Sequence, residues 1–113
     1  MGNRLPKDHD HRITLAEAAR MTRRQRREKD TRKKGMERPY ALRREAFESI
    51  LSQKGCEGVR IYPAVHEDGS PTVVVVGVDE AGNDMVSGLL IQNVFDCPPY
   101  CPDMNELNSD SRQ

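Results

Sequence analysis

Tryptophan is absent from the 113-residue chain, and phenylalanine and tyrosine together supply only 4% of it. No aromatic residue is interleaved with the basic run RRQRREKDTRKK, so that run lacks platforms for stacking single-stranded bases. No run approaches the roughly 18 apolar residues that a membrane span requires. The opening MGNRLPKDHDHR is charged and has no apolar h-region of the secretory kind. Cysteine is scarce and odd in number, at three, which argues against a secreted disulfide framework. A Gly-rich phosphate loop, a GxSxG elbow and an HExxH helix are all missing. Together these absences exclude the common signatures of phosphoryl transfer, serine hydrolysis and zinc proteolysis. The expectation is a non-enzymatic cytoplasmic protein with no membrane partner.

What is present is unevenly distributed. Apolar residues concentrate between Leu42 and Phe95, leaving both ends polar. A core of about 55 residues folds alone only marginally, so a protein partner or a homo-oligomer is expected. The formal net charge of zero conceals a split. Residues 20–44 hold twelve basic residues against three acidic ones, whereas residues 55–113 hold ten acidic residues against two basic ones. Asymmetry of this kind speaks to partners and solubility rather than to fold.

Periodicity sets the elements. Residues 1–12 read as a disordered tail. Thr14-Leu15-Ala16-Glu17 is a capping box that opens a basic helix over 14–34, with Gly35 as its stop. Leu15, Ala18 and Ala19 give it a narrow apolar stripe, and beyond Thr22 it is polar all round. An amphipathic helix over 40–54 follows, with Pro39 in its first turn. Ala46, Phe47, Ile50 and Leu51 recur in it at spacings of three and four. Three strands are predicted at about 58–65, 71–78 and 84–94. Pro63 marks the first as an edge or bulged strand. The all-apolar TVVVVGV marks the second as central. The short turns EDGS and DEAGND require antiparallel neighbours. The fold class is thus α+β: two N-terminal helices, then a three-stranded antiparallel meander with a helix on one sheet face. One domain spans 13–101, and 102–113 form a disordered acidic tail.

ITLAEAARMTRRQRRE, EAFESILSQKGCEGVRIY, VVVVGVDEAGNDM and CPPYC follow one another along the chain, with GVRIY, VGVDEAGND and CPPYC the most distinctive pieces. In this the chain resembles an uncharacterised group of small single-domain bacterial proteins of Bacteroidetes type, over roughly Ile13 to Cys101. The long basic stretch departs from that pattern. The resemblance implies a stand-alone bacterial cytoplasmic domain and transfers no catalytic or binding residue.

Two places carry chemistry. In CPPYCP each cysteine precedes a proline, which favours extended backbone. Extended, Cys97 and Cys101 would lie about 12 Å apart at roughly 3.1 Å per residue. A disulfide, or a zinc knuckle completed by Cys56 and His66, therefore needs a chain reversal at Pro99-Tyr100 or a cis peptide bond. The plainer reading is that the prolines end the third strand and Cys56 is a small buried hydrophobe. Asp96 beside Cys97 counts against a reactive thiol, which needs positive neighbours. The second place is the basic helix. Arg20, Arg23, Arg24, Arg26, Arg27, Lys33 and Lys34 could contact nucleic-acid phosphates, or form a solvated face paired with acids such as Glu28. Three functions follow: a protein-interaction module that can self-associate, a nucleic-acid binder, and a metal or thiol protein built on CPPYC.

Overall fold

The computed structural model describes residues 3–28 and 38–109. Helix α1 runs Leu15–Arg27. Its capping box is formed: the Glu17 amide donates to Thr14 Oγ1 at 3.1 Å, and the Thr14 amide donates to Glu17 Oε1 at 3.1 Å. Those two bonds satisfy donors that the first turn leaves orphaned. The Thr14 amide, and secondarily the Thr14 hydroxyl donating to Glu17 Oε1 at 3.1 Å, hold the Glu17 carboxyl below its ordinary range. The helix ends earlier than 34, because Glu28 has already left helical geometry at φ −80°, ψ 110°. The remainder of that segment, Lys33 and Lys34 included, lies outside the described residues.

The second helix is also shorter than the 40–54 predicted. Helix α2 is Arg44–Leu51, and Tyr40–Ala41 instead form a short strand, β1. Of the predicted apolar face, Ile50 is buried at 1% exposure, Ala46 and Phe47 are half-buried, and Leu51 is exposed. The chain leaves α2 through Ser52 and turns at Gly55, whose φ of +87° suits glycine. Strand β2 then begins at once.

Strands β2 (Cys56–Val65) and β3 (Pro71–Asp79) form an antiparallel hairpin, with Ile61 opposite Val75 and Val59 opposite Gly77. At its tip the His66 amide donates to Ser70 O at 2.8 Å, and Gly69 sits at φ +89°. A third strand, β4 (Leu90–Ile91), pairs with Val75 and Val76, giving a three-stranded antiparallel sheet in the order β2-β3-β4. The architecture is α+β. Strand β3 is central, as its double-sided apolar run requires, and Val75, Val76 and Val78 are buried. Pro63 lies on β2, at the sheet edge.

The third strand departs most from the 84–94 predicted. Asp84 (bridged to Val78), Met85 (whose amide donates to Gly77 O at 2.8 Å) and β4 meet β3, but no continuous strand joins them. Between them the Leu89 amide donates to Gln53 Oε1 at 2.9 Å, so a side chain from the turn after α2 takes the place of a ladder carbonyl. Past Ile91 the chain turns at Asn93 (φ +53°) and leaves the sheet. Phe95–Asp96 form strand β5, which pairs antiparallel with β1: Tyr40 lies opposite Asp96 and Ala41 opposite Phe95. The Tyr40 hydroxyl donates to Pro71 O at 3.0 Å and ties this second sheet to the start of β3. Burial, and secondarily the Asp96 charge, push the Tyr40 hydroxyl above its ordinary pKa.

Both expected tails make contacts where they are described. Asn3 Nδ2 donates to Asn83 Oδ1 at 3.0 Å. Residues 105–108 form an asparagine-built turn, with Leu107 donating to Asn105 Oδ1 at 2.7 Å and Asn105 to Asn108 Oδ1 at 2.9 Å. Asparagine readily makes such local bonds, a signal the acidic composition masks.

Candidate functional site

Strand β5 delivers the chain into CPPYC. The Cys97 amide donates to Pro39 O at 3.3 Å, continuing the β1–β5 pairing by one residue. The chain then reverses. The Cys97–Pro98 and Pro98–Pro99 bonds are cis, and the Tyr100 amide donates to Asp96 O at 2.9 Å. The Tyr100 ring lies 5.0 Å from that of Phe95, centroid to centroid. This brings the Cys97 and Cys101 Cα atoms to 4.7 Å, and the two cysteines are joined as a disulfide. The segment is thus more than a strand terminator. The reversal that sequence geometry demanded is present, and it serves a bond between the two sulfurs.

The zinc set of Cys97, Cys101, Cys56 and His66 is not brought together. Cys56 is a free, half-buried thiol at the start of β2, and its Sγ lies 3.2 Å from Gly58 O. His66 is exposed at the hairpin tip. Among the described residues, no three or more His, Cys, Asp or Glu side chains converge as a metal site.

What the disulfide does face is the basic helix. Residues 97–108 lie along the last turns of α1, and Arg26 Nη1 donates to Leu107 O at 2.8 Å across this junction. Between them is a cavity of about 690 Å³. Its apolar wall is Pro39, Pro102, Met104, Leu107 and the disulfide, and Arg26 and Arg38 supply its charge. Gln25, Asn105 and Asn108 add amides. A volume of this size is typical of a ligand cleft. Two of the places marked in the sequence, CPPYC and the basic helix, therefore meet in one site. Local sequence gave no sign of the meeting, because Arg26 and Leu107 are 81 residues apart.

The other arginines sort by helical position. Arg20, Arg23, Arg24 and Arg27 recur at i, i+3, i+4 and i+7, which places them on one face. With Glu28 they line a shallower concavity of about 370 Å³. Arg26 turns away from that stripe to the disulfide cavity. The cations thus divide between one stripe and one arginine, Arg26, that lines the groove.

A third polar cluster lies on the sheet. Arg60 Nη1 meets Asp84 Oδ1 at 2.6 Å and Gly82 O at 3.3 Å, and the Tyr62 hydroxyl donates to Asp84 Oδ2. The Tyr62 bond, then Arg60, hold the Asp84 carboxyl below its ordinary range, and the same bond raises the Tyr62 hydroxyl. Asp84 pairs with Val78 and Arg60 with Val76, so the cluster fastens the 79–84 turn over two buried valines.

No family model matches the chain, nor does any curated protein or solved structure at a meaningful level of similarity. Among the described residues, no helix is long and apolar enough to cross a membrane.

Proposed function

We propose that this protein is a small non-enzymatic interaction module that takes an acidic polypeptide segment into the groove between α1 and residues 97–108. The observation that supports this reading is the pairing of an apolar wall with two arginines in one cavity of about 690 Å³. Apolar anchoring supplies affinity and the cations select the sign of the partner. The direct test is titration with two synthetic peptides that share leucine anchors, one rich in Asp and Glu and one rich in Lys. The acidic peptide binds, the basic one does not, and Arg26→Glu with Arg38→Glu reverses the preference. Equal binding of both peptides, or of neither, would refute the reading. Native mass spectrometry of the protein alone reads the other protein partner open to it, a second copy presenting its own acidic residues.

A second reading rests on the stripe of Arg20, Arg23, Arg24 and Arg27. Four guanidiniums on one helix face suit a phosphate backbone. Four phosphate contacts correspond to a slope of about −3.6 in log affinity against log salt on duplex DNA. Affinity that stays flat from about 50 to 200 mM salt removes this reading.

We place the protein in the cytoplasm, which the free thiol of Cys56 and the odd cysteine count support. In that compartment a disulfide is more often exchanged than permanent.

A further inference from the structure

We infer that the Cys97–Cys101 bond is a thiol–disulfide exchange site for a cysteine-bearing acidic polypeptide seated in the groove; the inference rests on the groove reading above. Three observations combine. The two cysteines are bridged across a separation of only four residues, so opening the bond disturbs one short loop. Both cysteines line the cavity, with Cys101 exposed and Cys97 half-buried. Arg26 and Arg38 line it too. In the local sequence Asp96 makes the setting look acidic, but the fold supplies two guanidiniums. Positive neighbours favour a thiolate, whether attacking or leaving. They also concentrate a negatively charged partner.

The chemistry balances with a partner dithiol as reductant. A partner thiolate attacks Sγ of the more exposed Cys101, forming a mixed disulfide while the Cys97–Cys101 bond breaks. Its electron pair passes to Cys97 Sγ, which becomes a thiolate. A second partner thiolate attacks the partner's sulfur in the mixed disulfide and releases the Cys101 thiolate. The partner leaves with one new disulfide, and this chain keeps two reduced cysteines.

The test uses the full chain and three synthetic peptides: acidic with one cysteine, basic with one cysteine, and acidic with serine in its place. Mass spectrometry follows mixed-disulfide formation, and anisotropy follows binding of the serine peptide. The acidic cysteine peptide is expected to react at least about tenfold faster than the basic one, which a difference of ~1.4 kcal/mol provides. Its adduct maps to Cys101, and the advantage disappears in Arg26→Glu/Arg38→Glu. Far-UV circular dichroism of that variant verifies its fold. Equal rates for the two cysteine peptides overturn the inference. So does a disulfide inert to the acidic cysteine peptide while the serine peptide still binds, which leaves the groove reading intact. Loss of both exchange and binding overturns both.

Discussion

Truncating Ile50 to alanine should remove most of the stability of the folded core, whereas the same change at Leu51 should be mild. Ile50 is 1% exposed and Leu51 is 51% exposed, although they are adjacent on one helix. Isoleucine-to-alanine deletes three carbons, worth about 2.4 kcal/mol of transfer free energy at roughly 0.8 each. The cavity left against β2 and β3 raises the total to about 3–4 kcal/mol. A core of some 55 residues holds only about 3–8 kcal/mol, at roughly 0.05–0.15 per residue. Leu51→Ala removes as many carbons from a half-solvated site and costs about 1 kcal/mol. Urea unfolding followed by far-UV circular dichroism measures both, with an unchanged slope certifying the comparison. A Leu51→Ala loss equal to that of Ile50→Ala would refute the placement of α2 on the sheet.

Three further outcomes can be measured separately. Thr14→Ala removes the hydroxyl of the α1 capping box and costs the helix about 1 kcal/mol, so hydrogen-exchange protection of α1 amides should fall about fivefold while β3 is unaffected. Asp84 is held below its ordinary value of 3.8 by Tyr62 and then by Arg60, so the unfolded chain binds its proton more tightly. The stability it contributes is complete above pH 4 or so and is lost as pH falls through the lower folded value; urea midpoints should drop in acid for the native chain and vary less for Asp84→Asn. Cys97→Ser with Cys101→Ser frees a loop of five residues, worth about 2 kcal/mol of chain entropy; thermal melting should show that modest loss, and complete unfolding would contradict it.

Features set by neighbouring residues were legible in the sequence. The Thr14/Glu17 cap, the EDGS turn and the central position of TVVVVGV each follow from a handful of adjacent side chains. Features set by distant pairs were not. Pro39 reads as a helix start, yet Tyr40 is captured by Asp96, because pairing with a strand 56 residues away outweighs local propensity. The third strand reads as continuous through Met85 and Val86, but no sequence pattern announces that Gln53 will take the Leu89 amide. For the site, spacing alone stated what CPPYC needed, a reversal. It could not supply the arginines that face it, since helix α1 and residues 97–108 meet only after folding.

The pairing of Tyr40 with Asp96 has a consequence for the chain as material. The two ends of the α2-to-β4 core emerge side by side, like the ends of a clasped bracelet. Such a segment can be carried as cargo in a surface loop of another protein, because neighbouring ends splice in without stretching the host. Residues 40–96 are therefore the piece to transplant, with basic helix and disulfide hairpin left behind. A transplant that keeps Tyr62 bonded to Asp84 would mark the bracelet as a unit that folds by itself.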